Sequence, residues 1–338
     1  MLENLKKLCS LDGISGREDA VREEILRQIA PHCQFKIDNL GNVIAFKRGK
    51  QRPKNKLLLS AHMDEVGMLV TGITPDGMLR VTTVGGIDPR VIIGRCVTVA
   101  GKYPGVIGTK AVHMQEAEER AKATPVDKLF VDIGAKDKEE AEQLIRLGET
   151  VCFTSEYREF GDGRIKAKAI DDRFGCAVLL ELIRQELEYD TVFSFVTQEE
   201  VGLRGAKVAS FGVAPDIALV LEATTAGDLA GVEGAERVCR LGGGPVVPFM
   251  DRATIYDKEL YDLAFSLAEQ HGIPCQTKTK VAGGNDAGSI SLSGKGVRVA
   301  SISVPCRYLH SPSCVIDRED AENALRLARL FIDAAAQL

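Results

Sequence analysis

No Cys-x-x-Cys pair, no long run of Lys or Arg, no low-complexity tract and no apolar stretch of membrane-spanning length occurs in the 338 residues. Each absence removes a class of protein. The nine cysteines (Cys9, Cys33, Cys96, Cys152, Cys176, Cys239, Cys275, Cys306 and Cys314) are odd in number and widely scattered. That pattern argues against a disulfide framework or a structural zinc site and fits buried small apolar residues in a reducing compartment. With no basic runs and a net charge of -5, neither nucleic acid nor an anionic membrane is expected as a partner. The opening Met1-Leu-Glu-Asn-Leu-Lys-Lys7 places charges where a signal peptide or membrane span needs a continuous apolar run. A cytoplasmic protein is expected.

What is present has the texture of an ordinary globular chain, with 45% hydrophobic and 27% charged residues, long enough for one large domain or two ordinary ones. Ser15-Gly-Arg-Glu18 has the form of a capping box, ahead of a helix with Val21, Ile25 and Ile29 on one side. Strands are predicted at 34–38 and 43–47, followed by the apolar run Lys56-Leu-Leu-Leu-Ser-Ala-His62. From about Gly67 to Arg164 the pattern shortens into β-type runs at 78–84, 95–100 and 129–133, punctuated by Pro75-Asp-Gly77, Gly85-Gly86 and Pro104-Gly105. Helix and strand then alternate again: a helix over 173–186, strands over 191–196 and 217–221, a helix from Asp257, a strand over 297–304 and a final helix. The helix from Asp257 aligns Leu260, Leu263, Ala264 and Leu267, and the final one aligns Ala324, Leu327, Ala328 and Phe331. The expected fold is α/β, a discontinuous domain of residues 1–66 and 165–338 interrupted by a β-rich module at 67–164.

Only five histidines occur. His32 and His271 sit beside helix ends, where such side chains are common, and His113 has no carboxylate pattern near it. His62 closes an apolar strand, and Asp64, two residues on, shares its face. An aspartate accepting the proton of one imidazole nitrogen leaves the other free for a metal. Asp171 and Asp172 stand between a strand-like run and a helix, where Asp172 is assigned the N-cap and Asp171 the crevice. Glu199 and Glu200 end another apolar strand, and two adjacent buried acids call for a compensating cation. One can ligate while the other holds a proton. Glu222 ends a third strand and His310 follows a further one. Two histidines with three or four carboxylates at strand ends suit a pair of divalent ions sharing a bridging carboxylate.

These motifs resemble those of the tetrahedral (TET-type) aminopeptidases, co-catalytic metallopeptidases whose members also carry glutamyl aminopeptidase or endoglucanase names. The resemblance spans nearly the whole chain. It rests, in order, on Ser60-Ala-His-Met-Asp-Glu-Val-Gly67, Ala169-Ile-Asp-Asp-Arg173, Thr197-Gln-Glu-Glu-Val-Gly202, Gly283-Gly-Asn-Asp-Ala-Gly288 and Arg307-Tyr-Leu-His-Ser-Pro312. It implies a metal-dependent aminopeptidase acting on short peptides, with a zinc-aminopeptidase-like mixed sheet and a PDZ-like β domain that mediates dimerisation. By the same resemblance His62 and Glu222 bind one ion, Glu200 and His310 the other, and Asp171 bridges them. Asp64 orients His62, and Glu199 is the general base toward a water bridging the two metals. The implied cofactors are two divalent ions, zinc, cobalt or manganese, and the implied assembly is a homo-oligomer built from dimers up to a tetrahedral dodecamer. Two positions depart from the pattern: Glu222 stands where aspartate is more usual and Asn285 where threonine is.

Other functions share parts of this constellation. A dinuclear carboxypeptidase or N-acyl deacylase would keep the metals and differ where the substrate is anchored. A glycoside hydrolase needs two facing acids and no obligatory metal, and a non-enzymatic metal-binding protein would have no use for Glu199. The residues that bind substrate and the preferred N-terminal side chain are not identified by these motifs.

Overall fold

A computed structural model describes residues 1–338. The strands are, in chain order, β1 (Gln34–Ile37), β2 (Val43–Lys47), β3 (Leu57–His62), β4 (Gly67–Ile73), β5 (Leu79–Val84), β6 (Cys96–Val99), β7 (Tyr103–Gly108), β8 (Phe130–Asp132) and β9 (Thr150–Phe153). They continue with β10 (Arg158–Phe160), β11 (Arg164–Ala167), β12 (Thr191–Val196), β13 (Ile217–Thr225), β14 (Arg298–Cys306) and β15 (Cys314–Asp317). The helices are α1 (Leu2–Cys9), α2 (Asp19–Ile29), α3 (Ala117–Arg120), α4 (Lys138–Leu144), α5 (Ile170–Arg184), α6 (Arg204–Val213), α7 (Lys258–Gln270), α8 (Ala287–Ser291) and α9 (Arg318–Ala335). No helix is long and apolar enough to cross a membrane.

The central sheet is mixed, in the order β1-β2-β12-β3-β13-β14, with β12, β3, β13 and β14 parallel and β2 antiparallel to β12. Covered on both faces, its inner strands β12, β3 and β13 are buried almost along their whole length and mainly apolar, as parallel strands between helical layers are. The two-residue alternation sorts their side chains. Leu57, Leu59, Phe193, Phe195, Leu219 and Leu221 pack with α1, α2, α5, α7 and α9 on one side. Leu58, Val192, Val196, Ala218 and Val220 pack with α6 and α8 on the other. Because these four strands run the same way, their carboxyl ends open on one edge, the usual place for a ligand crevice.

Between β3 and the second part of the chain, β4, β5, β8, β7, β6 and β9 close into a six-stranded barrel with its own apolar interior, including Met68, Val81, Val97, Ile107 and Val131. Pro75-Asp-Gly77 makes the β4–β5 hairpin, with Gly77 at φ +80°. Pro104-Gly105, read from sequence as a turn, lies instead inside β7, paired with Thr98 and Val97 of β6. A Cβ on Gly105 would come within 2.9 Å of Val131 Cγ1, so the missing side chain allows the close approach of β7 to β8. The strand β10 falls within the stretch expected to be inserted, yet pairs with β11 and through it stands beside β15.

Other local expectations also shift. The capping box at Ser15 does not form, and α2 begins at Asp19 without a side-chain cap. The hydroxyl of Ser15 is committed elsewhere, as is the Glu18 carboxylate, which accepts from Gly16 N and Gln198 N. Leu260, Ala264 and Ala268 are the buried positions of α7, while Leu263 and Leu267 are only partly covered. All nine cysteines are free thiols, but Cys33 and Cys275 are only partly buried and Cys96 is exposed.

Candidate metal centre

Five side chains from five separate segments converge at the open edge of the sheet. His62 is the last residue of β3 and is 1% exposed. Its Nδ1 lies 3.0 Å from the carbonyl of Asp64, which fixes that nitrogen as the donor and turns Nε2 outward as a bare lone pair. His310 repeats the arrangement four residues beyond β14, its Nδ1 2.9 Å from the carbonyl of Gly86 in the barrel. The two Nε2 atoms face the two oxygens of one carboxylate: His62 lies 3.1 Å from Asp171 Oδ1 and His310 lies 3.1 Å from Asp171 Oδ2. Glu222 Oε1 is 3.7 Å from His62 Nε2, and Glu200 Oε1 is 3.2 Å from His310 Nε2.

Two neutral imidazoles of this tautomer would aim lone pairs at carboxylate oxygens, so each gap calls for a proton or a metal cation. In the metal-free protein protons meet the need. Burial opposes charge on His310, but Asp171 and Glu200 outweigh it and push it up to about 11. His62 is raised well above its ordinary value in the same way, burial being outweighed by Glu222, Asp171 and Asp64. Burial also raises Glu199, Glu200 and Glu222, with neighbouring acids adding to the effect. For Asp171, burial is overcome by the two histidines, and the carboxyl is held below its usual range. Glu200 Oε1 is buried and receives no hydrogen bond. His62, Asp171 and Glu200 form one group whose donor atoms are close enough to share an ion, and His62, Asp172 and Glu222 form a second. An N/O donor set of this kind suits zinc and its neighbours in the first transition row.

The surroundings differ from the sequence reading in several details. Glu222 does not end its strand, because β13 continues to Thr225. Asp171 follows β11, which belongs to the small sheet with β10 and β15 and not to the central sheet. Asp172, expected as the N-cap of the helix, lies at a non-helical break inside α5, which is preceded by Ala169 without a side-chain cap; its carboxylate accepts from Gly175 N at 2.7 Å and from His62 N at 3.3 Å. The peptide between Asp171 and Asp172 is cis. Asp64 holds His62 chiefly through its main-chain carbonyl, with its carboxylate 3.4 Å from Nδ1. That carboxylate instead accepts from Ser15 Oγ at 2.6 Å, Glu199 N at 3.0 Å and Glu200 N at 3.1 Å. It thereby sets the position of the two glutamates.

His32, His113 and His271 lie away from this centre, and His271 is the C-cap residue of α7. Sequence reasoning assigned no role at this centre to Ser15, Gly86, Lys278 or Asp286. Ser15 carried the wrong signal, that of a helix cap, whereas Asp286 was visible only inside the Gly283-Gly-Asn-Asp motif. Both oxygens of Asp286 are buried without a hydrogen-bond partner, and burial pushes the carboxyl up to about 7. The centre opens into a cleft of about 810 Å³ whose walls include Gly86, Thr224, Lys278, Gly284, Tyr308 and Ser311.

Comparison with known proteins gives a consistent picture. Residues 41–327 match the model of the family described as M42 glutamyl aminopeptidase. The chain is 34% identical over 343 residues to the lysyl aminopeptidase of Pyrococcus furiosus, covering 98% of this chain and 96% of that one. Among solved structures it is similar to an aminopeptidase of the archaeon Desulfurococcus kamchatkensis, with a TM-score of 0.92, 38% identity and coverage of 98% and 93%. It is also similar to the TET1 peptidase of Pyrococcus horikoshii, which can assemble into a tetrahedron or a large octahedral shell, with a TM-score of 0.86, 34% identity and 99% coverage of both chains.

Proposed function

Because the chain belongs to the M42 glutamyl aminopeptidase family, and is thus a metalloaminopeptidase hydrolysing peptide bonds, we propose that it removes N-terminal residues from short peptides at the centre around Asp171. In this reading His62 and Glu222 hold one divalent ion, Glu200 and His310 hold a second, and Asp171 bridges them. The observation that carries it is the division of one carboxylate between two histidines, each with its Nδ1 committed to a main-chain carbonyl. Ions held by these residues would supply Lewis acidity toward a scissile carbonyl and toward water near neutral pH, and a positive site for a free α-amine. Zinc, cobalt and manganese are the candidates.

Glu199 is the general base. It lies beside Glu200 and lines the cleft, and its raised proton affinity, due to burial and then to neighbouring acids, suits a group that takes a proton from the attacking water and returns it to the leaving amine. Asp64 is a positioning residue, acting through the amides of Glu199 and Glu200 and through the carbonyl on His62.

We assign the catalytic part to residues 1–66 and 165–338 and the inserted part to 67–164, with β10 pairing back onto the catalytic side. The inserted barrel is proposed as a PDZ-like dimerisation unit, and the assembly as one of dimers closing into a dodecamer. The tetrahedron that the similar TET1 peptidase can form supports this assembly. Nine free thiols fit the cytoplasm.

The test is hydrolysis of aminoacyl-p-nitroanilides and their N-acetylated counterparts by the full chain, before chelation, after it, and with zinc, cobalt or manganese restored. Cleavage confined to free amines, lost on chelation and regained with metal, is expected. Equal cleavage of acetylated substrates would turn the reading to a deacylase.

A further inference from the structure

Lys278 is 6% exposed, yet lines the same cleft as Asp171, Glu199, Glu200 and Glu222. A buried ammonium normally pairs with a carboxylate or saturates its three donors on acceptors. Lys278 does neither. Its Nζ makes one hydrogen bond, to the Ala282 carbonyl at 3.2 Å, and no carboxylate lies within salt-bridge distance. Asp251, the acid that acts on it most, is already engaged by Ala253 N, Thr254 N and Tyr256 Oη.

The ammonium is also held in place. Gln276 pairs with Pro245 and Val247, and Thr279 with Val238, so main-chain bonds fix the segment on both sides of Lys278. The charge of the cleft sharpens the point. Of the lysine and arginine side chains that line it, Arg95 is exposed and Lys278 is buried, so Lys278 is the cation held inside the wall. Burial lowers its proton affinity, and an incoming carboxylate would restore it.

We propose that Lys278 selects peptides whose N-terminal residue is acidic, its ammonium pairing with the aspartyl or glutamyl side-chain carboxylate. This rests on the aminopeptidase reading above. Family membership does not decide it, since the family is described as glutamyl and the Pyrococcus furiosus relative is named lysyl. Glutamine is nearly the shape of glutamate and lacks the charge, so the pair isolates the interaction. A hydrogen bond to a charged group contributes about 1.5–3 kcal/mol, which corresponds to roughly a 10- to 100-fold preference in kcat/KM.

The experiment compares the p-nitroanilides of Glu, Asp, Gln, Asn, Leu and Lys with the metal-loaded full chain, then with Lys278→Met and Lys278→Arg. Expected are Glu and Asp ahead of Gln and Asn by that factor, loss of most of the ratio in Lys278→Met and its retention in Lys278→Arg. A wild-type protein that cleaves Gln as well as Glu, or prefers Leu or Lys, overturns the inference and leaves the aminopeptidase reading standing. An unchanged ratio in Lys278→Met also overturns it. Should that variant not fold, the wild-type ratio decides alone. No cleavage of any substrate with any metal overturns the aminopeptidase reading, and the inference with it.

Discussion

The two halves of the centre are built from different materials. His62 and Glu222 are strand residues of the central sheet, 1% and 5% exposed, backed by apolar layers on both faces. His310 and Glu200 stand on loops beyond β14 and β12, and Nδ1 of His310 leans on the carbonyl of Gly86, just after β5 of the barrel. About a third of the His310 side chain is exposed. In the proposed assignment each ion would have one histidine and one glutamate, carried in one half by a rigid element and in the other by loops braced between two parts of the molecule. Rigid elements hold ligand geometry more closely than loops do, so the sheet-borne half should bind its ion more tightly.

The largest effect is expected where both halves are needed. Glu199→Gln should lower kcat by about 10²- to 10⁴-fold while metal analysis still finds two ions; loss of the ions would make Glu199 a ligand and redraw the comparison. His310→Ala should then release one ion and keep the other, as read by metal content after dialysis. His62→Ala should disturb both, because its imidazole belongs to both candidate groups. Equal losses from the two variants would erase the distinction between the halves. Asp64→Ala removes the acceptor shared by Ser15, Glu199 and Glu200 and should cost roughly 10- to 100-fold in metal affinity or activity. A fall confined to the loop-borne ion would sharpen the contrast.

The smallest effect concerns pH in the chelated protein. His310 has its folded pKa raised from 6.5 to about 11, burial being outweighed by Asp171 and Glu200, and His62 is raised as well. A raised histidine stabilises fully below its unfolded pKa, and that stability is lost as pH climbs through the folded value. Melting of the metal-free protein should therefore fall by a few degrees as pH rises above 6.5, measured by calorimetry. The metal-loaded protein should not follow, since protons no longer occupy the two gaps. A metal-free Tm that rises over this range would show that the histidines are not charged there.

Much of this architecture can be read in the residues because its signals are local. The continuous apolar runs at 57–62, 191–196 and 217–221 and the helical stripe of Ala324, Leu327, Ala328 and Phe331 are written within a few positions of one another, although the strands themselves pair with distant ones, β3 with β12 and β13. The change of texture after Gly67 likewise reflects short strands closing on one another within the barrel. Ser15 shows where such reading stops. Its local pattern is that of a helix cap, but Asp64, 49 residues on, competes for the hydroxyl and wins. Pro104-Gly105 fails as a turn for a similar reason, since pairing with β6 and close approach to β8 override the local preference.

The sequence by itself determined which imidazoles and carboxylates exist, their order, and that most of them leave the ends of apolar elements. Only the tertiary structure decided that Asp171 gives one oxygen to His62, 109 residues before it, and the other to His310, 139 residues after it. It also decided that Gly86 in the barrel orients His310, and that a lysine unremarkable in the chain faces the cleft almost without partners. The physical reason is range. Backbone periodicity and burial are written in steps of two to four residues, whereas a contact across a hundred residues depends on how every intervening element packs.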